Sequence, residues 1–139
     1  MRRGEIRALK WADVNLTART IRVEAGSTKT LKSRLVPISA RLRETLAQLR
    51  QNQLRPNSPV FGGVDFKRSF NTAIRNAGLL DVHFHDLRHT AITRMLEAGI
   101  SPPLVMKISG HTQQKTFMRY VNQSESSIYE IALKLDAAA

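Results

Sequence analysis

The stretch HDLRHTAITRMLEAGISPPLVMKISGHT, residues 85–112, decides most of the fold because it contains two helical patterns with clear ends. The first pattern predicts a helix over residues 86–98, with an apolar face formed by Leu87, Ala91, Met95 and Ala98. Gly99 is a typical stop for that helix, and Ser101 followed by Pro102 is a typical start for the next one. Gly110 then ends the second helix. The segment therefore predicts two consecutive helices joined by a short turn.

Helical spacing continues on both sides of this stretch. It predicts a weak helix over residues 5–11, helices from Ala40 onward and over 65–77 before Gly78, a short helix over 113–121 and an amphipathic one over 126–135. The apolar residues that carry these patterns are Ile6, Leu9 and Trp11; Leu42, Leu46 and Leu49; Phe66, Phe70, Ala73, Ile74 and Ala77; and Ile128, Ile131, Ala132 and Leu135.

Two β-branched runs near the start of the chain predict strands. TIRVE (20–24) and RLVPI (34–38) flank the polar connector AGSTKTLKS, so the pair is typical of an antiparallel hairpin. Pro37 cannot donate to a sheet ladder and favours an edge strand. We expect an α+β fold, mainly helical, with a small antiparallel sheet near the N-terminus and one domain over residues 1–139.

The charge of the chain indicates its partner. The 139 residues include 22 lysines and arginines against 11 acidic residues, a formal balance of +11. Such an excess favours nucleic acid over a merely solvated surface, with an anionic membrane surface further behind. The absence of cysteine excludes disulfides and thiolate chemistry and fits a reducing cytoplasm. No apolar run approaches the ~20 residues of a membrane span.

Two motifs contain residue types that suit a phosphodiester. His85 and Arg88 lie at i and i+3, so that a guanidinium can grip phosphate oxygens beside an imidazole that moves a proton. Such a pair alone is more often a surface or capping pair. Tyr120 lies in the basic segment QKTFMRYV, the setting that a nucleophilic tyrosine needs, whereas Tyr129 lies on the apolar stripe of the last helix and is expected to pack there.

Taken together and in order, these motifs resemble the signature of the tyrosine recombinase (phage integrase) family. HDLRHT is followed by SGHT, and Tyr120 comes nine residues after the histidine of SGHT. The start MRRGEI resembles the family's first arginine box from its second position, and TKTLKSRLVPI resembles the family's hairpin K-x-x-K-x-R-x-V-P. The five elements cover the chain from Met1 to about Val121.

The resemblance implies a catalytic domain that cleaves and rejoins double-stranded DNA through a 3′-phosphotyrosine, without metal or cofactor. The implied residues are Arg2 and Arg88 as phosphate clamps, His111 as a hydrogen-bond donor, His85 as general base or orienter, Lys29 as general acid and Tyr120 as nucleophile. Lys32 and Arg34 are expected to contact the DNA backbone or to be solvated. Three neighbouring residues are expected to have structural roles: Asp86 as a helix cap, His89 as a helix-face residue with a local hydrogen bond, and Glu5 as structural support.

Other functions stay open on the residues alone. His83, His85 and His89 could form a zinc cluster, although the glutamate of an HExxH site is missing. The two helices of residues 86–110 also resemble a helix-turn-helix, which would make the chain a non-catalytic DNA-binding module. A type IB topoisomerase would share the phosphotyrosine chemistry.

The two ends of the chain give further expectations. Members of the family carry an N-terminal DNA-clamping domain and further helices before the first arginine box, so we expect a fragment in which Arg2 is poorly held and activity is weak. The helix over 126–135 either docks on a neighbouring protomer or folds back on its own core.

Overall fold

A three-stranded antiparallel sheet lies near the N-terminus of the computed structural model, and helices follow it. The structure describes residues 1–25, 33–51, 55–62 and 65–121, together with Leu133 and Asp136. The strands are β1 (Val14–Asn15), β2 (Thr20–Val23) and β3 (Arg34–Pro37). The helices are α1 (Arg3–Ala8), α2 (Ala40–Arg50), α3 (Lys67–Asn76), α4 (Phe84–Glu97), α5 (Pro102–Ser109) and α6 (Gln114–Phe117), with 3₁₀ turns at Trp11–Asp13 and Met118–Tyr120.

The predicted hairpin is confirmed. Strand β2 pairs antiparallel with β3, with Ile21 opposite Val36, and the strand order is β1-β2-β3. Pro37 lies on an edge strand, where the lack of an N–H costs no ladder bond. Strand β1 was not predicted, because two residues are too short to show alternation.

One apolar core covers the sheet. Its buried residues are Leu9, Trp11, Val14, Ile21, Val23, Ile38, Leu46 and Val60. Helix α2 begins at Ala40 as predicted, with the Ser39 hydroxyl accepting from the Leu42 amide at 3.3 Å. The predicted stripe on this helix is only partly right: Leu46 is 1% exposed, whereas Leu42 is 38% and Leu49 41% exposed. Helix α2 is short and packs on a small sheet, so it buries Leu46 but not the full width of the stripe that Leu42, Leu46 and Leu49 form.

A second core joins the later helices. Ile92, Val105 and Phe117 are buried at its centre, and partly buried apolar residues surround them, among them Tyr120. The predicted apolar face of α4 is only partly right: Met95 packs against this core, whereas Leu87 is 51% exposed and the buried residues of the helix are Arg88 and Ile92. A hydrophobic pattern cannot predict an inward arginine, since burial of that charge depends on partners elsewhere in the chain.

The predicted ends of α5 are confirmed. The helix begins at Pro102 after Ser101, and Gly110 follows it with a left-handed φ of 75°. The helix predicted over residues 65–77 appears as α3, with no buried residue along it. The helix predicted over 126–135 lies outside the described residues, apart from the exposed Leu133. In the described ranges, no helix combines the length and the apolar character needed to cross a membrane.

Replacement of Leu46 tests which leucine anchors α2. Leu46→Ala should lower the free energy of unfolding by about 2–5 kcal/mol, because it leaves a cavity in the core against the sheet. Leu49→Ala removes the same atoms from an exposed position on the same helix, and should cost less than about 1 kcal/mol. Urea unfolding followed by circular dichroism measures both, and equal losses would contradict this packing.

Candidate active site

The C-terminal end of α5 holds three arginines. Arg34 Nε donates to the carbonyl oxygen of Ile108 at 2.9 Å, and Arg88 Nη2 donates to that of Ser109 at 2.6 Å. Arg2 Nη2 donates to the Gly110 carbonyl at 3.3 Å. The last carbonyls of a helix have no partner within it and carry the negative end of its dipole, so they suit cations. Three consecutive carbonyls therefore bring together an arginine cluster: Arg2, which precedes α1, Arg34 from β3 and Arg88 from α4.

Gly110 permits the close approach of this cluster. Its left-handed conformation ends α5, and a Cβ atom there would lie 3.0 Å from Arg34 Cζ. Any side chain at this position would be strained and would press on the guanidinium.

Glu5 is the carboxylate that balances the cluster. It is buried, and its Oε2 accepts from Arg34 Nη2 at 2.7 Å and from the Arg2 backbone amide at 2.7 Å. Its Oε1 accepts from Arg2 Nη1 at 3.3 Å. Burial alone would raise the pKa of Glu5, but the hydrogen bonds from Arg34 and Arg2 outweigh it and lower that pKa. The expected supporting role of Glu5 is confirmed, since it holds both α1 and β3.

Two predictions about the arginines are wrong. Arg34 is 8% exposed and bonded to Glu5 and to α5, so it is neither solvated nor placed to contact a DNA backbone. Arg2 is not loose, because its amide and both its terminal nitrogens are hydrogen-bonded. The error for Arg34 arose because its partners, Glu5 and Ile108, are distant in sequence, whereas Arg2 is held both by the nearby Glu5 and by the distant Gly110. The predicted residues Lys29 and Lys32 lie outside the described residues.

Unused hydrogen-bond donors remain inside the arginine cluster. Among the described residues, Arg34 Nη1 and Arg88 Nη1 are buried with no hydrogen-bond partner. Burial and the charge of Arg2 lower the pKa of Arg88, which marks an electrostatically crowded guanidinium. Next to Arg88 lies an open cleft of about 300 Å³ that His83, Phe84 and His85 also line. The cleft is therefore an electropositive recess suited to an anion.

His111 follows Gly110 and is held by Ser109. The Ser109 hydroxyl lies 2.7 Å from His111 Nδ1 and 3.2 Å from the Met106 carbonyl oxygen. Burial, followed by the charges of Arg88 and Arg2, lowers the pKa of His111 to about 4, so the ring is neutral at pH 7. A hydroxyl has one proton, so when Ser109 donates it to Nδ1 rather than to the Met106 carbonyl oxygen, the neutral ring carries its proton on Nε2 and can donate it to an anion.

Tyr120 lies beside the histidines. Its ring centroid is 6.0 Å from that of His111, and its hydroxyl is 2.5 Å from His89 Nδ1. Burial raises the pKa of Tyr120 despite the opposing charges of Arg88 and Arg119. From the sequence, His89 was expected to make only a local hydrogen bond, whereas its observed partner is 31 residues away.

His85 and Asp86 occupy the first turn of α4. The ring of His85 meets that of His89 edge-on at 4.7 Å, and burial, then the charges of His89 and Arg88, lowers the pKa of His85. Asp86 Oδ2 accepts from the His83 amide at 2.7 Å, which confirms its role as a helix cap. In the part of the chain that the structure describes, no group of three or more histidine, aspartate or glutamate side chains could hold a metal ion.

Removal of the Glu5 charge should destabilise the fold in a pH-dependent way. Glu5→Gln leaves the buried Arg34 and the partly exposed Arg2 without their counter-charge and should cost about 3–5 kcal/mol at pH 7. Because the pKa of Glu5 is lowered in the folded chain, its stabilisation is present above the ordinary value of 4.5 and lost as the pH falls through the folded value.

Urea unfolding of wild type and Glu5→Gln at pH 7 and pH 3 measures the effect. The difference between them should shrink at the lower pH, and a difference independent of pH would contradict the proposed charge balance. Glu44→Gln, at an exposed position on α2, is the control and should change stability by less than about 0.5 kcal/mol.

The comparisons with known proteins agree with this geometry. The chain matches the Phage integrase family over residues 1–127. It is 35% identical over 138 residues to the shufflon-specific DNA recombinase of Escherichia coli, covering 99% of this chain and 34% of that protein. It is 28% identical to the tyrosine recombinase XerC of Xanthomonas axonopodis pv. citri, covering 95% of this chain and 47% of that protein.

Solved structures give the same result. The crystal structure of XerA recombinase superposes with a TM-score of 0.74 at 26% identity, covering 96% of this chain and 50% of that one. The Tn1549 transposon integrase has a TM-score of 0.74 at 18% identity and supports the fold alone. This chain spans between a third and a little over half of the length of these proteins. Since the family match covers residues 1–127 of 139, the chain belongs to the phage integrase family of tyrosine recombinases.

Proposed function

We propose that residues 1–139 form a catalytic domain that cleaves and rejoins DNA strands through a 3′-phosphotyrosine on Tyr120. The observation that carries the proposal is the end of α5, which brings Arg2, Arg88 and His111 together next to Tyr120. A phosphodiester is the substrate that suits buried guanidinium donors, a neutral imidazole and a phenol in one place.

In the proposed reaction, Arg2 and Arg88 bind the non-bridging oxygens of the scissile phosphate. Arg88 Nη1, buried and without a partner among the described residues, supplies one of the donors. These fixed charges stabilise the extra negative charge of the five-coordinate transition state, and His111 adds a hydrogen bond from Nε2.

The covalent step exchanges one phosphate ester for another. Tyr120 Oη attacks phosphorus, the bond from phosphorus to the 5′ oxygen breaks, and the departing oxygen takes a proton from Lys29, as the family resemblance implies. His85, beside the cleft, orients the phosphate or assists in proton transfer. The tyrosyl ester keeps the energy of the broken bond, so attack by a 5′ hydroxyl rejoins the strand.

Double-stranded DNA is the proposed partner, and the cytoplasm is where the chain would meet it. The formal charge of +11 favours a polyanion. The integrase of Tn1549, which shares the fold, was solved in complex with transposon right end DNA.

A covalent adduct assay tests the proposed function. The chain is incubated with a pool of nicked suicide duplexes of random sequence, denatured in detergent and run on a gel. Wild type should give a DNA–protein adduct that EDTA leaves unchanged, because guanidiniums supply the electrostatic stabilisation. Tyr120→Phe should give none, whereas Tyr129→Phe, at the other tyrosine of the chain, should behave as wild type.

The remaining outcomes of this assay identify other functions. Retention of DNA without any adduct from wild type would indicate a non-catalytic DNA-binding module. Cleavage that EDTA abolishes would indicate a metal-dependent hydrolase.

Self-association through residues 126–135 is a further part of the proposal. The apolar residues Ile128, Ile131 and Leu135 recur at helical spacing there, and the described Leu133 is half exposed. Light scattering should give twice the 15.7 kDa mass of one chain, and Leu135→Asp should restore the single mass. A monomeric wild type would contradict self-association through this segment.

A further inference from the structure

His89 makes a contact that its sequence position does not suggest. It follows Arg88 on α4, yet its Nδ1 lies 2.5 Å from the hydroxyl of Tyr120 in the 3₁₀ turn Met118–Tyr120. The two rings are 5.4 Å apart and tilted by 30°. We propose that His89 is the general base of the reaction and receives the hydroxyl proton of Tyr120 during attack on phosphorus. This inference rests on the proposed function.

The other histidines are less well placed for this step. All four histidines of the chain lie within the described residues. The Nδ1 of His111 is bonded to Ser109, and its ring is 6.0 Å from that of Tyr120. His83 Nδ1 lies 3.7 Å from Asp86 Oδ2 at the start of α4, so its observed partner is this carboxylate rather than Tyr120. His85 packs edge-on against the His89 ring. Among the described contacts, the Tyr120 hydroxyl is hydrogen-bonded to His89 and not to His85.

The proposed proton transfer requires one direction of this hydrogen bond. In the neutral tautomer of His89 that carries its proton on Nε2, Nδ1 accepts from the Tyr120 hydroxyl. Burial raises the pKa of Tyr120, so this tyrosine keeps its proton until a base removes it. A base already in hydrogen-bond contact with the attacking oxygen satisfies the geometric condition for general base catalysis.

The proton of Tyr120 moves to His89 during the attack. As Tyr120 Oη bonds to phosphorus, its proton moves to His89 Nδ1, and the bond to the 5′ oxygen breaks. The imidazolium that forms lies near His85 on its own helix and near His111 after α5, and Arg88 and Arg119 are the charges that act on its partner Tyr120. The phosphate oxygens supply the compensating negative charge. In the rejoining step His89 returns the proton to Tyr120.

A substrate with a sulfur leaving group isolates this step. A suicide duplex with a bridging 5′-phosphorothiolate needs no proton donor for the leaving thiolate, so the rate of adduct formation reports on attack by Tyr120. His89→Ala and His89→Gln should both slow adduct formation by about 100-fold or more, within the usual range for a general base. Thr90→Ala, at an exposed position on the same helix, should leave the rate unchanged.

The glutamine variant separates a base from a positioning residue. Its amide oxygen can accept the tyrosine hydrogen bond but cannot take the proton. Loss of rate in His89→Gln, loss of the acid limb of the pH–rate profile, and acceleration of His89→Ala by added imidazole are the expected results. A wild-type rate in His89→Gln would overturn the proposal, and so would a loss in His85→Gln with none in the His89 variants.

Two further controls keep the tests distinct. If wild type forms no adduct while it binds DNA, the proposed function fails and the role of His89 falls with it. If wild type forms an adduct and the His89 variants match it, only the role of His89 fails. Nitrogen-15 NMR of the DNA-free chain should show a shift of the His89 Nδ1 resonance in Tyr120→Phe, and no shift would contradict the contact itself.

Discussion

The end of helix α5 is the point on which the rest of the structure depends. Three consecutive carbonyl oxygens, of residues 108–110, accept hydrogen bonds from the three members of the arginine cluster. Like charges repel, so only fixed dipoles and the buried carboxylate of Glu5 keep the guanidiniums together. The arginines come from the start of α1, from β3 and from α4. Their bonds to the end of α5 therefore connect the core against the sheet with the core of the later helices.

The arginine cluster carries more positive charge than its surroundings neutralise. Two of the three guanidiniums, those of Arg2 and Arg34, pair with the one carboxylate of Glu5, and two buried nitrogens of the cluster have no hydrogen-bond partner among the described residues. Unsatisfied buried donors cost stability, and a fold selected only for stability would remove them. Under the proposed function, a bound phosphate would neutralise part of the excess charge, so the same feature that weakens the free chain would favour binding of the proposed substrate.

The sequence predicted the positions of the helices and strands better than the contacts that their side chains make. Pro102, Gly110 and the β-branched runs act through local backbone preferences, so the ends of α5 and the hairpin were predictable. The inward face of α4 was not predictable, because the hydrogen-bond partner of the buried Arg88 is the Ser109 carbonyl oxygen, 21 residues later. Arg34 and His89 were misjudged for the same reason: their partners lie 29 to 74 residues away and become visible only once the chain is folded.

The bond between Arg2 and the Gly110 carbonyl spans 108 residues. A contact between such distant positions carries a high loop-closure cost and forms only when the intervening chain is ordered. A nascent chain emerging from the ribosome therefore has no assembled site until α5 has been synthesised and docked. Under the proposed function, partly folded molecules would be unable to cut DNA, and the topology itself would protect the genome during synthesis and turnover.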